Sequence, residues 1–182
     1  MSARYVFNLR GTSSRSTLPS KILLVQRETE TLTHILLKLF GFLLFQRERL
    51  QIEPHLDDEY IPYTPDLLQT DLQGRIALWV ECGECAVTKL DRLAVKVPDA
   101  EIWTLKPSAA AAADLLARMR HDELRPGRYG LVGLDPAMLA EVAGLTQARN
   151  DVVWHRAAFE PAEMQFEYNG LWFDAPFSVL RW

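Results

Sequence analysis

Hydrophobic and polar positions follow two rhythms along this chain. Residues 5–10 and 21–27 alternate with the period of two that marks half-buried strands, and the Ser/Thr-rich stretch 11–20 joins them as a loose hairpin. A 3.6-residue rhythm follows. Leu32, Ile35, Leu36, Leu39, Phe40 and Leu43 recur at helical spacing and predict a helix over about 30–46. Leu37, Phe42, Leu44 and Phe45 widen its apolar stripe almost all the way round. A helix apolar on most faces belongs in the middle of a fold.

Shorter elements succeed it. Residues 49–53 read as a brief strand and 54–63 as a polar, proline-bearing loop. Residues 66–70 and 75–81 read as strands joined by the turn-forming sequence Asp71-Leu72-Gln73-Gly74. A helix over 88–97 and a strand over 100–105 come next. Ser108 is placed to cap an alanine-rich helix over 109–121, which Pro126-Gly127 closes off. A strand at 129–134 leads to Asp135-Pro136, an N-cap followed by proline at the first helical position, and to a short helix ending near Gly144. Residues 152–159 form a strand, and 164–168 with 171–173 a hairpin about Asn169-Gly170. Pro176 breaks the run before Trp182.

Composition narrows the class. At 182 residues, with 48% hydrophobic and 24% charged residues, the chain is expected to be a single domain spanning 1–182. The longest apolar run, Leu39 to Phe45, falls well short of the roughly 20 residues of a membrane span. The N-terminus alternates like a strand rather than a secretion signal, so a cytoplasmic location without membrane attachment is expected. The net charge of −4 argues against a broad non-specific nucleic-acid surface. Residues 57–101 hold four Lys/Arg against ten Asp/Glu, so the acidic excess lies mid-chain. A carboxylate cluster repels phosphate unless a cation is present, which suits either a metal site or a plain acidic loop.

The candidate chemistry lies in that same third. Along 76–81, Ile76, Leu78 and Val80 share a core face, while Ala77, Trp79 and Glu81 share the other. Asp66, after Pro65, opens the preceding strand, and a hairpin can bring it close to Glu81. Two such carboxylates offer the hard oxygen ligands of Mg²⁺, which could polarise a phosphodiester and activate a water. Glu30 could add a third. The element order helix, strand, hairpin, helix, strand is the αβββαβ core of a restriction-endonuclease-like α/β fold, here about 28–106. Additional β-strands come from both termini, and 107–182 packs on the core.

Glu30-Thr31, the helix to Phe42, Glu48-Arg49-Leu50, Pro65-Asp66-Leu67-Leu68-Gln69, Asp71-Leu72-Gln73-Gly74 and Leu78-Trp79-Val80-Glu81-Cys82-Gly83 succeed one another as in the bacterial YaeQ family. The resemblance extends to Glu101-Ile102-Trp103 and more loosely to the C-terminal hairpin. It implies a variant PD-(D/E)XK nuclease scaffold and, for an active site, a Mg²⁺-dependent phosphodiester hydrolase acting on DNA or RNA. Asp66, Glu81 and Glu30 would then hold the metal. The chain departs from the family pattern at Ala77, where members commonly carry an acid, and from the nuclease superfamily at Gly83, where the superfamily has its lysine and family members also tend to have glycine. Lys89, or else Arg92, on the following helix is the candidate replacement, so Asp66, Glu81 and Lys89 are the expected catalytic residues.

Other readings attach to the same residues. The two bare positions and the acidic balance suit a catalytically inactive interaction protein with a protein partner. Cys82 and Cys85 form a single C-x-x-C, which fits a dithiol switch, half a zinc site, or two buried thiols. Asp66 could merely start a strand, Glu30 could merely answer a helix dipole, and Lys89 could be a solvated helix position. Trp79 and His155 read as packing residues.

Overall fold

A computed structural model describes residues 2–182. The described residues form eleven strands and four helices in two mixed sheets. The first sheet takes β1 (Ala3–Gly11), β2 (Lys21–Gln26), β8 (Arg149–Phe159), β9 (Ala162–Tyr168) and β10 (Leu171–Pro176), in the order β10-β9-β8-β1-β2. Only its β1–β8 pairing is parallel. The second takes β3 (Gln51–Ile52), β4 (Leu67–Thr70), β5 (Ile76–Cys82), β6 (Glu101–Lys106), β7 (Tyr129–Gly133) and β11 (Ser178–Arg181), in the order β11-β7-β6-β5-β4-β3. Here β5, β6 and β7 run parallel, and the other pairings are antiparallel.

Helix α1 (Leu32–Leu44) lies between the sheets, as its all-round apolar pattern predicts, and every residue from Ile35 to Leu44 is buried. Its core includes Phe7, Leu24, Trp154 and Phe166 of the first sheet and Leu67, Leu78, Val80 and Leu105 of the second. Gly41 sets the depth of the contact, because a Cβ there would come within 2.8 Å of Leu67 Cδ1. Helix α4 (Pro136–Leu145) packs in this same layer. Helices α2 (Val87–Lys96) and α3 (Ala109–His121) cover the opposite face of the six-stranded sheet, around Leu68, Trp79, Leu90, Leu115 and Met119. Strand β5 is therefore buried on both faces, so its Trp79 side, which the sequence alternation set opposite the core face, is also interior.

Local signals behave as expected where the chemistry is local. Ser108 Oγ accepts the Ala111 N–H, and Asp135 accepts from Ala137 and Met138. Asn169 and Gly170 both have positive φ, the twist a two-residue hairpin needs. Two features differ from the expectation. Helix α1 begins only at Leu32, behind an N-cap Thr31 that accepts from His34 N–H, so Glu30 stands outside it. Beyond Pro176 the chain crosses to the other sheet as β11, pairing with β7, and the Trp182 backbone bonds that of Tyr129. This strand is too short to show a period of its own. Among the described residues, no helix is long and apolar enough to cross a membrane.

Candidate functional site

The C-terminal end of β5 and the loop that follows it gather the candidate side chains, in two groups. The first lies on the α1 side. Asp66, just before β4, turns its carboxylate toward the end of β5, where Oδ2 accepts the Cys82 N–H across 2.6 Å. Its Oδ1 faces His34 Nε2 at 3.2 Å. Glu30 folds back against the start of α1: it accepts the Arg27 N–H at 2.8 Å, meets the Lys38 ammonium, and lies 3.7 Å from His34. Glu53, just after β3, also reaches Lys38, at 2.7 Å, and Asp66 lies 3.9 Å from the same amine.

Lys38 is 1% exposed. Burial of an ammonium ordinarily lowers its pKa, but the Glu30 and Glu53 carboxylates outweigh that penalty and raise it above the usual lysine range. Burial works to raise the Glu30 carboxyl. The Arg27 N–H and Lys38 outweigh it and hold the group below the ordinary value.

The second group lies on the α2 side. Glu81, 4% exposed, accepts the Trp79 indole N–H at 2.6 Å and pairs with the Lys89 ammonium at 2.7 Å. Burial raises its carboxyl above the ordinary range; Lys89 and Trp79 counteract this in part, while the Asp66 charge adds to it. Lys89 sits in the first turn of α2, where the helix dipole disfavours a cation, and Glu81 offsets that cost. Its ammonium also lies 5.5 Å from the centre of the Tyr63 ring. Arg92, the other candidate, is exposed and turns to the Tyr63 hydroxyl at 3.5 Å.

Gly83 has φ +76, and a Cβ there would meet His34 Nδ1 at 3.3 Å. The backbone reverses at this point to enter α2, so the position is built for glycine. The carbonyl of Gly83 accepts from the Lys106 ammonium at 2.6 Å, and burial lowers that lysine below its usual range.

The expected residues are thus brought to one end of β5 but not into one shell. Glu30 and Asp66 share Lys38 and His34, whereas Glu81 and Lys89 pair on the other face. Among the described residues no group of three or more His, Cys, Asp or Glu side chains is arranged to hold a metal ion. Each of these carboxylates is engaged by an N–H or an ammonium of the chain itself. In this arrangement the donors do not fit a divalent ion.

Sequence reasoning missed Lys38, His34, Glu53 and Lys106. A signal existed for two of them. Lys38 is the one charge in an apolar helix, and His34 and Glu30 precede it at steps of four. Glu53 and Lys106 carry no such mark.

The cysteines do not form a dithiol. Cys82 is buried in the core shared with α1, and Cys85 in the core under α2. Burial is the chief cause that pushes Cys82 well above the usual thiol range and Cys85 up to about 12. Of the three readings of the C-x-x-C, this arrangement is that of two buried thiols. His155, read as a packing residue, hydrogen-bonds Glu167 at 2.8 Å and lies against Trp172.

Residues 18–154 match the family model described as YaeQ protein. No curated protein matches the chain. The crystal structure of YaeQ protein from Pseudomonas syringae is similar over 100% of this chain and 96% of its own, with a TM-score of 0.72 and 15% identity. That of YaeQ protein from Xanthomonas axonopodis pv. citri is similar over 100% and 99%, with a TM-score of 0.67 and 19% identity. At these identities the two structures speak for the fold. The family match covers more than half of the sequence, and on it the chain belongs to the YaeQ family.

Proposed function

We propose that this chain is a non-hydrolytic interaction protein on a nuclease-like scaffold, with a restriction-endonuclease-like αβββαβ core at about 28–106 and its partner another protein. The observation that carries this reading is that Asp66 and Glu81 are held by different partners. A PD-(D/E)XK reaction needs both carboxylates on one metal ion. Here Asp66 is held by His34 and the Cys82 N–H, and Glu81 by Trp79 and Lys89 across the strand. Alanine at 77 leaves the Glu81 face without a further acid, and glycine at 83, demanded by the backbone, leaves no lysine beside His34. The net charge of −4 supports a protein partner over a polyanion.

The test is cleavage of single- and double-stranded DNA and RNA with Mg²⁺ or Mn²⁺, beside Glu81→Ala. No cleavage above the variant is expected. Metal-dependent cleavage that disappears in Glu81→Ala overturns the reading.

One observation favours the rival reading, a Mg²⁺-dependent phosphodiester hydrolase. Lys89 does reach Glu81, and the Asp66 charge is felt there. In that reading Asp66, Glu81 and Glu30 would hold Mg²⁺, which would supply Lewis acidity toward the phosphate. Lys89 would stand in for the lysine absent at Gly83. The same cleavage assay separates the two.

A further inference from the structure

A second concave site lies at the other end of α1 from Glu30, and its charge has the opposite sign. The loop between β1 and β2 meets the last turn of α1 and the middle of β8 around a cavity of about 360 Å³. Its wall carries Arg15, Arg47 and Arg156, and no Asp or Glu lines it. The chain as a whole has 24 Asp/Glu against 20 Lys/Arg, so composition alone does not explain an arginine-only wall.

The three arginines differ in their company. Arg47 is held by Glu101 through hydrogen bonds of 2.9 and 3.1 Å, and Arg156 is paired with Glu163. Neither acid belongs to the cavity wall, so each steadies its arginine from outside. The exposed Arg15 pairs with no carboxylate among the described residues.

The hydroxyls of the loop suit the same kind of ligand. Ser16 Oγ accepts the Gln46 amide at 3.0 Å and the Leu18 N–H at 3.4 Å, and Ser13 Oγ accepts the Arg15 N–H at 3.2 Å. Among the described residues neither hydroxyl donates to an acceptor of the chain, so both hydrogens are left for water or for a ligand's oxygens. Ser16 is seated closely: a Cβ on Gly11 would collide with its hydroxyl. The remaining wall is apolar, with Leu43, Leu44 and Trp154 reaching it from the core. A bare anion would leave that part uncovered.

We propose that this cavity binds a small organic phosphomonoester, with its phosphate among the three arginines and its carbon body against Leu43, Leu44 and Trp154. The guanidinium fork matches phosphate oxygens, and a phosphate offers one more oxygen than a carboxylate to share among arginines and hydroxyls. The volume lies in the range that small ligands occupy, roughly 300–1,000 Å³. The proposal goes beyond the protein-partner reading and does not depend on it.

The experiment is titration calorimetry of the full-length chain with phenyl phosphate at near-physiological salt. One molecule is expected to bind per chain, with a Kd below about 1 mM. Arg15 is exposed on a loop, so Arg15→Gln leaves the fold intact, and it should weaken binding about tenfold through loss of a charge-assisted hydrogen bond. Arg149→Gln removes the same charge from an exposed position outside the cavity and should leave binding unchanged. Inorganic phosphate, which lacks the carbon body, and benzoate, which lacks the phosphate, should each bind more weakly than the ester. Absence of saturation, equal loss in both variants, or either of these two probes binding as tightly as phenyl phosphate overturns the proposal.

Discussion

The Lys38 ammonium lies 2.7 Å from the Glu53 carboxylate, with the lysine 1% exposed and the acid beyond the next strand. A pair of this kind contributes little by its mere presence, because desolvation offsets most of the Coulomb gain. Breaking it from one side is another matter. Lys38→Met should cost about 1.5–3 kcal/mol near neutral pH, since it leaves the half-buried Glu30 and Glu53 carboxylates without their shared cation.

The pH dependence carries the sign. In wild type the raised Lys38 pKa contributes stability that is complete below the ordinary lysine value and lost as pH rises through the folded one. The lowered Glu30 pKa contributes stability present above the ordinary carboxyl value and lost as pH falls through the folded one. In Lys38→Met the acid side should invert, with stability rising as protonation relieves the repulsion. Urea midpoints measured from about pH 7 to about pH 4 check this; an acid response that keeps the wild-type sign counts against it.

Glu81 behaves in the opposite sense. Its carboxyl is raised in the fold, chiefly by burial, so its ionisation costs stability, and that cost is absent at low pH and grows as pH rises through the folded value. Glu81→Gln keeps an acceptor for the Trp79 N–H and removes the charge. The variant is expected to be more stable than wild type at neutral pH by on the order of 1 kcal/mol, with the difference vanishing in acid. Paired melting curves at the two pH values would show it, and a variant less stable at neutral pH would assign the larger share to the Lys89 pair.

Placing a lysine at 83, where an active nuclease-like site would carry one, should fail. Gly83→Lys puts a side chain at φ +76 with its Cβ 3.3 Å from His34 Nδ1. The left-handed backbone alone costs roughly 1–2 kcal/mol for a residue with a Cβ. Loss of stability without any gain of cleavage is expected, read by chemical denaturation beside the nuclease assay.

The two thiols should be silent in the folded protein. Both are buried, they occupy different cores, and their pKa values are raised. Thiol titration with an aromatic disulfide reagent should find neither cysteine reacting rapidly in native protein and both reacting in denaturant. Rapid native reaction, or an intramolecular disulfide after mild oxidation, would revive the dithiol switch.

The sequence by itself determined what depends on neighbours along the chain. The apolar run around Leu36 and Leu39 placed α1 inside, Ser108 and Asp135 set their helix starts, and Asn169-Gly170 fixed a hairpin. The alternation through Trp79 and Glu81 put both on one face of β5 and Leu78 and Val80 on the other. Sequence spacing even placed Lys89 within reach of Glu81, because a four-residue connection returns α2 to the strand it follows.

What tertiary structure decided is the company each charge keeps. Asp66 and Glu81 lie near one sheet end, yet one turns to α1 and the other to α2, and the strand between them separates their partners. Lys38, Glu53 and Asp66 meet only because α1 lies across β4 and β5, bringing together charges that are distant in the chain. A lone charge in an apolar helix must find partners or lose its proton. The sequence shows that Lys38 faces this requirement, and only the packing of α1 against the six-stranded sheet shows that carboxylates meet it.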